Sequence, residues 1–216
     1  MMGYRRIKII IFDCDGVLFD SREANYEYYN KICRLCGREP MSPEEFLFVH
    51  MHTAQDSLRF LFRDRPDLLD RAFSVVGDIS YGEFIRYMRF DPTLPYVLGE
   101  LKKMGLFLAI STNRGTTIPL LKRIFRLDRW FDYVCSAMDV KYPKPHPEGV
   151  KKILRYFRLD HSRAIYIGDS KVDEVVSKRV NIPFIAYKNP LLKAMFHVKH
   201  FHELLRFTRC VTGNDY

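Results

Sequence analysis

Five short apolar runs recur along this chain, and most of them end on small polar or acidic residues. Residues 7–12 stop at Asp13-Cys14-Asp15-Gly16, and residues 106–111 are followed by Thr112-Asn113-Arg114. Tyr133–Cys135 is shorter, residues 164–167 stop at Gly168-Asp169, and Phe184–Tyr187 is the last. Runs of this length, rich in Ile and bounded by turn residues, read as buried strands. Between them, apolar residues recur at helical spacing over residues 96–104, 117–125, 147–157 and 173–180. Strands alternating with helices require a parallel sheet covered on both faces. The expected fold is therefore α/β, with a Rossmann-like, doubly wound core.

One block breaks the alternation. After the first strand come helical patterns at residues 23–36, 43–49, 56–63 and 81–88, with no convincing buried strand among them. We read residues 19–93 as an all-helical insertion, and residues 1–18 with 94–216 as a discontinuous core. The crossings fall near residues 17–21 and 90–95, where Pro92 and Pro95 stiffen the return.

Composition narrows the function. No apolar run is long enough to cross a bilayer, and the first is too short and too charged for a secretory leader. The five cysteines, Cys14, Cys33, Cys36, Cys135 and Cys210, are odd in number and irregularly spaced. They fit reduced thiols in a cytoplasmic protein, not a disulfide framework. The pair Cys33/Cys36 has no second pair to complete a zinc site, so packing is its expected role. The net charge of +9 arises in residues 94–216, which carry twenty-two basic and eleven acidic groups. A basic surface attracts anions in general. Without a nucleic-acid motif, nucleic acid is not the expected partner.

Reactive groups in open parallel sheets collect at the carboxyl ends of the strands. Here that edge gathers Asp13, Asp15, Thr112, Asn113, Arg114, Asp169 and Asp173. Three carboxylates, Asp13, Asp15 and Asp169, repel one another unless a cation lies among them. A hard ion that keeps waters for a phosphate, Mg2+, suits such a set. A carboxylate can also attack phosphorus, provided that other groups hold the developing charge. Lys144, Thr112 and Asn113 are the candidates for that task. Asp15, two residues beyond Asp13, is placed to pass a proton to the leaving group. Taken singly, each has a plainer use: Asp169 and Asp173 as helix caps, Thr112-Asn113 as a turn, Lys144 as a loop lysine among prolines.

Taken together, four segments resemble the motifs of the haloacid-dehalogenase superfamily. Asp13-Cys14-Asp15-Gly16-Val17-Leu18 resembles its first motif, Ser111-Thr112-Asn113 the second, Lys144-Pro145-His146-Pro147 the third, and Gly168-Asp169-Ser170-Lys171-Val172-Asp173 the fourth. The resemblance implies Asp13 as nucleophile and metal ligand, and Asp15 as general acid and base lending its backbone carbonyl to the metal. It implies Thr112 and Lys144 on the phosphoryl group, Asp169 on Mg2+, and Asp173 supporting the metal shell. The inserted block is similar to the helical cap of phosphoglycolate phosphatases and beta-phosphoglucomutases.

The expected activity is thus Mg2+-dependent hydrolysis of a small phosphorylated metabolite through an aspartyl-phosphate, by a monomer or homodimer. A phosphomutase shares the same motifs, and a non-catalytic or nucleic-acid-binding protein on this fold is the reading from another class. His50 and His52, between insertion helices, are candidates to read the leaving group, as are Arg114 and Lys171 to touch substrate. There is no glycine between Gly37 and Gly77, where the family's cap often carries one. Residues 190–216 also depart from the family and are expected to pack as a helix on the core.

Overall fold

The computed structural model describes residues 7–212, with side chains as far as Thr208. Cys210 lies outside the described side chains; the other four cysteines are buried free thiols.

Six strands form one parallel sheet: β1 (Ile9–Phe12), β4 (Phe107–Ser111), β5 (Tyr133–Cys135), β6 (Ala164–Gly168), β7 (Phe184–Tyr187) and β8 (Phe196–Val198). Their order is β5-β4-β1-β6-β7-β8. The chain builds outward from β1 through β4 to β5, then crosses back to β6 on the other side of β1. That reversal opens the crevice where ligands of such sheets bind. In register, Phe12 stands beside Ile110 of β4 and Ile167 of β6. The three reactive strand ends are consequently neighbours.

Side-chain alternation divides the core in two. Ile10, Phe12, Ile110 and Ile167 pack with helices α5 (Leu94–Lys103), α6 (Ile118–Phe125) and α9 (His202–Thr212). Ile9, Ile11, Ala109 and Tyr166 face the opposite way, onto α7 (Glu148–Tyr156) and α8 (Lys171–Val180). The expected α/β sheet covered on both faces is the fold observed.

Residues between β1 and α5 form α1 (Arg22–Leu35), α2 (Pro43–Met51), α3 (Ala54–Leu61), α4 (Leu69–Asp78) and a 3-10 helix, Tyr81–Tyr87. Three details differ from the sequence reading. Helix α4 is not among the expected helices, although Leu69, Ala72, Phe73 and Val76 recur at helical spacing; Val75, Val76 and Gly77 are weak helix formers, and packing against α1 and α3 supplies what propensity does not. The last helix winds tighter than an α-helix, with Ser80 Oγ accepting from the Gly82 amide only two residues on. Two short strands, β2 (Phe19–Asp20) and β3 (Arg89–Phe90), pair antiparallel where the chain leaves and re-enters the α/β layer. The block is thus not purely helical in its flanks.

The tail does pack as a helix, with Phe201, just before α9, and Leu204 within it fully buried. It also adds β8, an unread sixth strand. Three residues with Phe196 and His197 exposed carry too little apolar signal to be seen.

Candidate active site at the carboxyl edge of the sheet

Asp13 follows β1 directly, held there by a bond from its amide to the Ile167 carbonyl at 2.8 Å. Its carboxylate is buried, and Oδ1 accepts from the Cys14 amide at 2.7 Å and from Lys144 Nζ at 2.7 Å. Lys144 Nζ also donates to Asp173 Oδ1 at 2.8 Å and to the Tyr166 hydroxyl oxygen at 3.2 Å. The Tyr166 hydroxyl donates in turn to Asp173 Oδ1 at 3.0 Å. One buried ammonium is therefore shared by two carboxylates and a phenol. Burial alone would discharge Lys144, but Asp13 and Asp173 more than offset it and hold the ammonium well above its usual range.

Asp173 has a second task. Its Oδ2 accepts from the amide and hydroxyl of Ser170, at 3.2 and 2.5 Å, closing a capping box at the start of α8. The same side chain thus caps α8 with one oxygen and bonds Lys144 with the other.

Asp13, Asp169 and Asp173 each offer an oxygen within 4.8 Å of the others. Burial, with Asp173 next, raises Asp13 to about 7 despite Lys144. Burial, then Asp173 and Asp13, push Asp169 well above the carboxylate range. Carboxylates in mutual contact at this depth are costly without a cation. A set of hard oxygens fits a divalent ion of the magnesium class, so the residues present suit such a metal.

Two glycines make this crowding possible. Gly16 has φ +74°, and a Cβ there would lie 1.9 Å from Asp169 Oδ2. At Gly168 a Cβ would lie 2.3 Å from Cβ of Asp173. The glycine of each motif is needed because the acid of another strand end, or of the following helix, occupies the space.

The remaining predicted residues divide. Thr112 is buried on the cleft, where its hydroxyl accepts from the Arg114 amide at 3.0 Å and keeps a proton to donate. Asn113 is turned to the loop that carries Lys144. Its Oδ1 accepts from the Lys144 amide at 2.9 Å, and its Nδ2 donates to the Lys144 carbonyl at 2.9 Å and to the Met51 carbonyl at 3.2 Å. Asp15 is close to the acid trio but directs both oxygens away from it. Arg114 forks it, Nε to Oδ2 at 2.8 Å and Nη2 to Oδ1 at 2.6 Å, and the Ser21 hydroxyl also donates to Oδ1. Burial would raise Asp15, but the Arg114 guanidinium overrides it and holds the acid below its usual value.

His50 accepts at Nδ1 from Asn25 Nδ2 at 3.1 Å, and burial lowers its pKa. His52 donates from Nδ1 to the Phe48 carbonyl at 2.7 Å and stacks on the Phe48 ring. Lys171 is exposed and paired with Glu174. Sequence reasoning missed Ser21, Asn25, Tyr81 and Tyr166. Tyr166 left a trace, because a phenol inside an apolar strand must find a polar partner.

Asp13, Asp15, Thr112, Asn113, Arg114, Lys144 and Asp169 open on one cavity of about 950 Å³, which Asp173 and Tyr166 do not line. Its far wall comes from the inserted block and includes Tyr28, Val49, His50, Leu58, Phe73 and Val76.

Several known proteins resemble the chain. Phosphoglycolate phosphatase of Rhodobacter capsulatus is 28% identical to it, over 94% of this chain and 96% of that protein. Pyrophosphatase PpaX of Bacillus velezensis is 29% identical, over 82% and 81% respectively. The crystal structure of a subfamily IA HAD-superfamily hydrolase from Geobacter sulfurreducens superposes with a TM-score of 0.76 at 34% identity, covering 94% of this chain and 97% of that one. Residues 10–187, spanning all four motifs and the cavity between them, match the haloacid dehalogenase-like hydrolases, and the chain belongs to that family.

Proposed function

We propose that this chain is a Mg2+-dependent phosphatase of a small phosphorylated metabolite, acting in the cytoplasm. The observation that carries the reading is the contact of Lys144 Nζ with Asp13 Oδ1 at 2.7 Å inside an acid trio of which Asp13 and Asp173 are buried. An aspartate so placed has a cation at hand to hold the phosphoryl oxygens as they arrive. The names of the Rhodobacter and Bacillus relatives point to the same chemistry.

In this reading Asp13 attacks phosphorus with one carboxylate oxygen, and the bond to the leaving oxygen breaks. Asp15 gives that oxygen a proton, a role that requires it to leave the Arg114 fork that holds it ionised. Water then attacks the aspartyl-phosphate, Asp15 takes its proton, and phosphate leaves with Asp13 restored. Lys144 and the Thr112 hydroxyl hold the phosphoryl oxygens throughout, while Asn113 fixes the loop that carries Lys144. Asp13 and Asp169 would hold Mg2+ with Asp173 behind them; when bound, the ion neutralises this acidic cluster and draws in an anionic substrate. Residues 19–93 act as a cap that excludes water from the cavity.

The test is a phosphate-release screen over phosphorylated metabolites, with magnesium and then with chelator, and with Asp13→Asn as control. Magnesium-dependent release that vanishes in the variant is the expected result. Full activity in Asp13→Asn would refute the nucleophile, and isomerised sugar phosphate without free phosphate would replace hydrolysis by mutase chemistry.

A further inference from the structure

The cavity in front of Asp13 holds about 950 Å³, at the upper end of the roughly 300–1,000 Å³ that takes a drug-sized ligand. A phosphorylated two-carbon acid would leave most of that space to water. Its two sides differ in chemistry. The α/β side carries the acids and Lys144. The side built by residues 19–93 is an apolar wall of Val49, Leu58, Phe73 and Val76, continued by Tyr28 and Tyr29. Val49 and Leu58 are buried, whereas Phe73 and Val76, three apart on α4, are only half-buried and keep apolar surface uncovered.

The polar groups around this wall are engaged with one another. Arg114 Nη2 donates to the Tyr81 hydroxyl oxygen at 2.9 Å and to Asn25 Oδ1 at 3.3 Å, and the Tyr81 hydroxyl donates to Asn25 Oδ1 at 2.8 Å. Asn25 Nδ2 serves His50, and the Thr53 hydroxyl donates to Asp56 while accepting from its amide. The inserted block places two arginines on the cavity, Arg22 and Arg59, and both are exposed. Arg22 lies over the Phe46 ring at 5.4 Å; Arg59 pairs with Asp56 at 3.8 Å and lies over the Phe73 ring. Among the described residues, the inserted block therefore offers this wall no buried cation to answer a carboxylate. Uncovered apolar surface gains most from an apolar guest. We infer that the group esterified to phosphate is an uncharged, largely apolar alcohol, larger than a two-carbon acid and seated on Phe73 and Val76. The inference rests on the phosphatase reading above and names the substrate class of that same site.

A homologous series tests it. The value of kcat/KM is measured on methyl, propyl, butyl and hexyl phosphate and on 2-phosphoglycolate, for wild type, Phe73→Ala and Val76→Thr. A methylene taken out of water is worth about fourfold, so kcat/KM should rise by about threefold to fourfold per added carbon. Butyl phosphate should exceed 2-phosphoglycolate by about tenfold or more. Phe73→Ala should cut the ratio of hexyl to methyl phosphate by about tenfold. Val76→Thr, which keeps the shape and adds a hydroxyl, should cut it by about threefold, and carries the test if the alanine variant does not fold. A flat or falling series, a preference for 2-phosphoglycolate, or a ratio that neither variant moves would overturn the inference. Alkylphosphonates of the same lengths, which water does not cleave, report binding by calorimetry. A wild type that binds them yet hydrolyses no ester would instead refute the phosphatase reading beneath it.

Discussion

Gly16→Ala puts the fit between the first turn and the fourth motif under the most direct strain. The new Cβ would sit 1.9 Å from Oδ2 and 2.4 Å from Cγ of Asp169, where real contacts of this kind do not fall below 3.0 Å. The Asp169 carboxylate must therefore retreat by about 1 Å, and a displacement of that size at a reacting centre costs on the order of 100-fold in rate. The backbone adds a second penalty. At φ +74° alanine costs about 1–2 kcal/mol relative to glycine. Expected together are a kcat lower by about 100-fold, a higher magnesium requirement, and a urea-unfolding free energy lower by about 1–2 kcal/mol. Steady-state rates across a magnesium titration, with urea melts on the same preparation, measure all three. A variant within threefold of wild type at unchanged magnesium dependence would refute the argument, because Asp169 would then have no need of the space that glycine leaves.

Other perturbations read other parts of the molecule. Burial, reinforced by Asp173, holds Asp13 near pH 7, above its ordinary 3.8, so the folded chain keeps a proton that the unfolded chain has released. Stability from this group is complete below about pH 4 and lost as pH rises through about 7. Urea melts in chelator should therefore weaken between about pH 4 and 7, and magnesium or Asp13→Asn should flatten that decline; a slope unchanged in Asp13→Asn would contradict it. Tyr166→Phe removes the phenol bonded to Lys144 and Asp173, and should cost about 1 kcal/mol in urea melts with a several-fold loss of rate. Phe201→Ala empties a fully buried site stacked 4.5 Å from Tyr187, and should cost about 3–5 kcal/mol; a loss below about 1 kcal/mol would mean that the turn leading into α9 adds little to the core.

Much of the core was legible because the relevant signals are local. Each sheet strand but β8 is an apolar run with a polar stop, and the position of that stop alone puts Asp13, Thr112 and Asp169 on one edge. The glycines of the motifs were legible as turns, but their reason was not: it lies in the proximity of Asp169 and Asp173, residues far away or on the following helix. Strand β8 escaped because tertiary packing, not propensity or pattern, decides it, whereas in α4 the weak helix formers Val75, Val76 and Gly77 obscure an apolar stripe that is present. The committed bonds of Asn113 and Arg114 could not be read at all. A side chain's partners depend on which segments the fold brings together, here residues 15, 25 and 81 around 114, and no spacing encodes that.

The small ribbon of β2 and β3 has a consequence for how such a protein can change. Phe19 stands opposite Phe90, and both rings pack on Phe125, so the excursion begins and ends at one sealed doorway in the α/β layer. A segment whose two ends are already neighbours can be lengthened, shortened or exchanged while the strands beneath it keep their register. The reacting groups beneath that doorway can thus stay fixed while whatever stands over them is rebuilt for a different guest.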